Sequence, residues 1–170
     1  MAEMKPIEPP DKHCLSAAVG WLELGNPREA KAELALISLA GQTHPDVLEV
    51  RWLVCADQKT WAEALDAARA LVESAPDRPT GWLHQAYALR RVPDGSVQRA
   101  WDALLPVADK FPKEPTIPFN LACYACQMHD LESARQWLKR ALAIGGRERI
   151  KAMALADPDL EALREEIARM

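Results

Sequence analysis

Four alanines, Ala30, Ala64, Ala100 and Ala134, recur along the chain at intervals of 34, 36 and 34 residues. Each closes a matching segment: Pro27-Arg28-Glu29-Ala30, Trp61-Ala62-Glu63-Ala64, Val97-Gln98-Arg99-Ala100 and Leu131-Glu132-Ser133-Ala134. Four residues further on stand Leu34, Ala68, Leu104 and Leu138, and three beyond those Ile37, Leu71, Val107 and Ala141. Apolar positions at i, i+4 and i+7 lie on one face of a helix. One such unit cannot bury its own apolar face, so a repeat of this length predicts units that stack on one another.

Upstream of each periodic segment lies a second helical stretch. Turn signals separate the two, at Gly25-Asn26-Pro27, Gln58-Lys59-Thr60, Pro93-Asp94-Gly95-Ser96 and His129-Asp130. Pro45, Pro76, Pro112 and Gly145-Gly146 follow the second helices, where loss of a donor or a left-handed backbone stops a helix. The pattern predicts four helical hairpins, at 11–44, 45–78, 79–114 and 115–148, with the third carrying its two extra residues in the Pro93–Ser96 turn. Apolar content is mainly Ala and Leu, strong helix formers, and β-branched residues are few, which argues against a large sheet. Residues 1–10 are polar and Pro-rich and read as a flexible leader. In the tail, Asp157 can cap a helix with Pro158 in its first turn, and Leu160, Leu163 and Ile167 make an apolar stripe. Residues 149–170 are therefore expected to cap the end of the stack.

The last hairpin carries Asn120-Leu121-Ala122-Cys123-Tyr124, then Asp130, Ala134, Leu138 and Ala141-Leu142. The first supplies Ala18, Gly25-Asn26 and Ala30, the second Trp61, Ala64 and Pro76, and the third Trp82, Ala86, Ala100 and Pro112. Over residues 11–148 this resembles the tetratricopeptide-repeat (TPR) family, and the tail resembles a segment found after some bacterial repeats of that kind. The sequence departs from the family in placing Trp52 where a Gly or Ala is usual, Lys59 and His129 at turn glycines, and Pro118 at a large apolar position. The resemblance implies an all-α fold, an α-solenoid of four antiparallel helix-turn-helix repeats with a C-terminal capping helix. It implies a concave groove lined by the first helix of each pair, which takes a peptide or protein segment. Inward-facing residues would be Lys12, Val19 and Glu23 in the first unit and Asp46, Glu49 and Asp57 in the second. The third would offer His84, Tyr87, Arg90 and Arg91, and the fourth Asn120, Cys123 and Gln127. Leu15 and Val19 stand where relatives that grip chaperone C-termini carry a Lys and Asn clamp, so that ligand is not expected.

Several functions are disfavoured on composition and motif. Residues 1–85 hold 8 basic and 13 acidic side chains and residues 86–170 hold 13 and 12, so neither half has the basic excess of a nucleic-acid binder. No run of 18 apolar residues predicts a membrane span. With no apolar leader at the start, the expected location is cytoplasmic and the four cysteines are expected as reduced thiols. Cys123-x-x-Cys126 has the spacing of a redox pair or half a zinc site. It lies mid-helix rather than at a helix N-terminus, and Cys14 and Cys55 are isolated, so small side chains packing between helices explain it better. His13, His44, His84 and His129 are scattered, and no phosphate loop, zinc-protease or serine-hydrolase motif occurs. No enzyme activity, cofactor or metal is expected. The six tryptophans are spread over all four hairpins and read as core packing, with Trp82 the one placed to meet a ligand. The expected function is a protein-binding scaffold or adaptor; the alternatives are self-association as a homo-oligomer and a chaperone-like subunit of a larger assembly.

Overall fold

The computed structural model describes residues 6–170; residues 1–5 of the expected leader lie outside the described residues. Ten α-helices follow in order, with no strand among the described residues: α1 Asp11–Glu23, α2 Pro27–Ala35, α3 Pro45–Asp57, α4 Trp61–Ser74, α5 Pro79–Leu89, α6 Val97–Leu104, α7 Thr116–Gln127, α8 Leu131–Gly145, α9 Arg147–Ala156 and α10 Arg164–Arg169. The fold is all-α, with four helical hairpins and a C-terminal capping segment. The limit expected at 148 falls inside α9, which begins directly after Gly146, a glycine with positive φ.

Local chemistry accounts for where the second helices start. Asn26, Ser96 and Asp130 each accept a hydrogen bond from the backbone N–H three residues on, at 3.3, 3.1 and 3.0 Å, which satisfies an N-terminal donor that the helix leaves open. Thr60, at the matching place before α4, instead donates its hydroxyl to the Cys55 carbonyl at 3.4 Å. α2 and α6 are short. Ile37 lies beyond the end of α2 and Val107 in a 3₁₀ turn that contains Pro106, yet both remain buried.

The turns inside the first, second and fourth hairpins share one construction. Gly25, Lys59 and His129 all have left-handed backbone, with φ of 71°, 58° and 64°. In each, the next residue donates its N–H back five positions, Asn26 to Trp21, Thr60 to Cys55 and Asp130 to Ala125, at 2.8–3.0 Å. These bonds satisfy carbonyls at the end of the first helix. In the third hairpin the corresponding bond runs seven positions, from Ser96 N–H to the Leu89 carbonyl at 3.2 Å. The two extra residues of the repeat are absorbed there. A Cβ on Gly95 would collide with the Leu89 carbonyl oxygen, so only glycine fits this longer turn.

Two compact units divide the described residues, one ending at Ala88 and the other running from Leu89 to Met170. In the N-terminal unit, α1 packs on α2 and α3 on α4. Ala18, Ala30, Leu34, Ile37, Val47, Val50 and Val54 form its main core, against which Ile7, Trp21 and Leu22 pack. The repeating alanines Ala18, Ala30 and Ala64 are wholly buried, as the close approach of paired helices requires. Trp52 occupies the Ala18 position of the second hairpin and is also buried. On α4 the wholly buried Ala68 stands at the place of Leu34, Leu104 and Leu138. At Gly81, a Cβ would sit 3.2 Å from Leu71 and Val72, which marks a close approach of α5 to α4.

In the C-terminal unit α7 packs on α8, and α6 packs on α7. α7 is buried nearly all round: every residue from Ile117 to Cys126 is buried except Asn120. A helix apolar on all sides needs cover on all sides. The additional cover comes from a 3₁₀ segment, Pro158–Leu163, that lies against α7 and buries Leu160 and Leu163. Asp157 caps this segment by accepting the Asp159 N–H at 2.9 Å. Ile150 of α9 and Ile167 of α10 complete the buried end.

Candidate interaction site

In the N-terminal unit, the residues expected at the groove gather around partners that sequence reasoning missed. Asp46 and Glu49, one turn apart on α3, both face Arg78: its Nη1 lies 2.6 Å from Asp46 Oδ1 and 3.7 Å from Glu49 Oε2. Burial pushes the Glu49 carboxyl above its ordinary value, while Arg78 pulls it back down. The Asp46 N–H also donates to His44 Nδ1 at 3.2 Å. Asp57 ends α3 and is exposed.

Further along the same helices is an aromatic cluster. The His84 ring of α5 stacks on Trp52 of α3, with centroids 3.7 Å apart and planes 2° from parallel. Tyr87, one turn on from His84, meets the Trp52 ring edge-on at 5.7 Å and lies 5.9 Å from the Trp61 ring of α4. Three helices are thus joined through one phenol, which remains 39% exposed. Burial lowers the His84 pKa to about 4, so the stacked ring is neutral at physiological pH. Trp52 Nε1, Thr80 Oγ1 and His84 Nδ1 are buried with no hydrogen-bond partner among the described residues. Trp82, the tryptophan placed to meet a ligand, donates its Nε1 to the Pro76 carbonyl at 3.0 Å.

In the C-terminal unit the corresponding residues meet the chain's own terminal segment. The Arg90 guanidinium holds both carboxylate oxygens of Asp159, with Nη2 2.9 Å from Oδ1. Gln127 donates to the Asp159 carbonyl at 3.1 Å. Cys123 donates its thiol to Asp157 Oδ2 at 3.6 Å. Burial, reinforced by the charges of Asp157 and Asp159, holds the Cys123 thiol far above its ordinary value, and burial likewise raises Cys126. That is the reverse of a redox-active pair, whose thiolate must be accessible near neutral pH. Tyr124 is pushed up to about 12 by burial, with the charges of Arg90 and Arg91 acting against it. Asn120 is half-buried on α7. Among the described residues no group of three His, Cys, Asp or Glu side chains is arranged to hold a metal ion, and no helix is long and apolar enough to cross a membrane.

The residues that sequence reasoning missed carry a signal close to the repeat length. Asp46 and Arg78 are 32 positions apart, as are Lys31 and Glu63, Gln127 and Asp159, and Arg140 and the Ala108 carbonyl that it binds. Lys31–Glu63 and Arg140–Ala108 thus join neighbouring hairpins, Asp46–Arg78 joins the two ends of the second hairpin, and Gln127–Asp159 joins the last hairpin to the terminal segment.

No protein-family model and no curated protein sequence matches the chain. Among solved structures, the chain is similar to the crystal structure of a thermophilic TPR protein from Thermus thermophilus. The two share 16% sequence identity and superpose with a TM-score of 0.71, over 94% of this chain and 100% of the other. At that identity the likeness is one of backbone, and it agrees with an all-α fold of repeated helical hairpins. The chain has the tetratricopeptide-repeat fold.

Proposed function

We propose that this chain is a protein-binding module whose docking face lies on the N-terminal unit, on α3 and α5 around Tyr87. The observation that carries this reading is the half-exposed Tyr87 seated on Trp52 and Trp61. Tyr and Trp dominate the energetics of protein interfaces because they offer a large rigid area at little entropic cost. The exposed Asp57 lies on the same helix as Trp52, and Asp46 and Glu49 on that helix share the single cation Arg78, so the face carries surplus negative charge that favours a partner segment with basic residues. Arg90 and Gln127 are engaged with Asp159, so their polar groups serve the fold of the C-terminal unit. Arg91 and Asn120 also belong to that unit.

The test is affinity capture with the wild type and with Tyr87→Ala, each checked for helical circular dichroism. Loss of the captured protein with Tyr87→Ala, and its retention with Arg99→Ala on α6, is the expected result. Capture unchanged by Tyr87→Ala would refute the assignment. Arg90→Glu is unsuited to this purpose, because it sets a carboxylate against Asp159 and disturbs the fold.

A further inference from the structure

We infer that the N-terminal unit contains a second binding site, a cavity between α2, α3 and α4 that takes a small monocarboxylate with a short apolar stem. The cavity has a volume of about 250 Å³. Its walls are apolar, with Leu34 from α2 and Val54 and Cys55 from α3. Lys31 and Glu63 stand at its mouth, paired at 2.8 Å and each about half exposed, at 51% and 54%.

The remaining polar side chains of the lining are Gln42 and Arg51, and the charged group of the two is the Arg51 guanidinium. It donates to Gln42 Oε1. Among the described residues no carboxylate pairs with it. The Gln42 amide is itself fixed, because its Nε2 donates to the Leu34 carbonyl at 2.9 Å and the Ile37 carbonyl at 2.7 Å. Both amide hydrogens are used, so Oε1 is held toward Arg51, and Arg51 is held at the cavity wall. A guanidinium carries five donors in a planar fork suited to bidentate carboxylate binding, and a neutral amide oxygen uses few of them. The cavity thus presents two cations, Lys31 and Arg51, against one anion, Glu63. A monoanion balances this set. A dianion would place surplus negative charge beside Glu63, and a cation would meet Arg51 at close range. The apolar walls select for an alkyl stem behind the carboxylate.

The site differs in helices and chemistry from the Tyr87 face, and its test does not depend on that reading. Hexanoate, butyrate, hexylamine and inorganic phosphate are titrated into the full chain and followed by amide chemical shifts. Hexanoate is expected to shift the amide signals of Arg51, Val54 and Cys55, which line the cavity, and to leave those of Cys14, which packs on the main core, in place. Butyrate should bind more weakly, and hexylamine and phosphate should have no effect at the same millimolar concentration. Arg51→Gln should abolish the hexanoate response. Glu63→Gln, which removes the competing anion from an exposed position, should tighten it several-fold, so the proposal remains testable if Arg51→Gln fails to fold. No response of the wild type to hexanoate would overturn the proposal. So would equal binding of hexylamine or phosphate, or hexanoate binding that Glu63→Gln leaves unimproved.

Discussion

Replacing Ala68 by Leu gives α4 the residue found at the matching place in the other three hairpins, yet it should destabilise this protein. Ala68 is wholly buried, and Trp52, buried on the paired helix, stands where the first hairpin has Ala18, so large and small residues exchange places between the two positions. Adding the leucine side chain overpacks the hairpin, at about 1–3 kcal/mol. Trp52→Ala alone removes a side chain only 7% exposed, with its stacking on His84 and its edge contact with Tyr87, at about 3–5 kcal/mol. The double variant Trp52→Ala/Ala68→Leu restores the small–large arrangement of the other hairpins. It should be more stable than the sum of the two losses by about 2 kcal/mol, within the range seen for residues in contact. Urea unfolding of all four proteins, followed by far-ultraviolet circular dichroism, measures the cycle, with each ΔG taken from the midpoint and slope. If the two single losses add to the double within about 0.5 kcal/mol, the positions are independent and the exchange of sizes is coincidental.

Lys59→Gly and His129→Gly should each stabilise the chain by up to about 1 kcal/mol, because glycine relieves a left-handed conformation costing about 1–2 kcal/mol for other residues and loses part of that gain to entropy; thermal melts that fall rather than rise would show that the two side chains hold these turns. His84 has its folded-state pKa lowered to about 4 from 6.5, so the unfolded chain binds the extra proton between these values and stability falls as pH drops through that window, by about 3 kcal/mol. His84→Phe keeps a ring against Trp52 and should flatten the loss in urea titrations across that range, whereas an unchanged pH profile would place its origin elsewhere. Ala134→Trp introduces an indole at a wholly buried crossing of α8 and should cost at least about 3 kcal/mol. A melting curve equal to that of the wild type would show that the assumed register of the last hairpin is wrong.

The hairpins were legible in the sequence because their determinants are local or strictly periodic. Ala30, Ala64, Ala100 and Ala134 mark the second helices, and Asn26, Ser96 and Asp130 start three of them within three residues of the group they bind. The candidate site was legible only in part. Asp46, Glu49, His84 and Tyr87 lie on the elements expected, but the residues that set their chemistry come from elsewhere: Arg78 for the carboxylates, Trp52 and Trp61 for the rings. Arg90 is 69 positions from Asp159, and no local pattern announces a pair so distant. A helix phase says which face a side chain occupies; it does not say whether the chain's own tail covers that face. Trp52 illustrates the same limit. It departs from the small residue expected there, and its stacking partner becomes visible only once α5 is placed beside α3.

The unequal turns have a consequence for how such a chain can vary. Three of the four close with a five-residue hydrogen bond on a left-handed residue, while the third spans seven and still leads into a capped helix with its alanine fully buried. Length can therefore change at the tip between paired helices without shifting the register of either. Loop tips of this kind tolerate insertion because little buried backbone is disturbed. Pro93–Asp94 is the position at which an affinity tag or a grafted peptide could be carried inside the chain, with both the Tyr87 face and the terminal segment left unmodified.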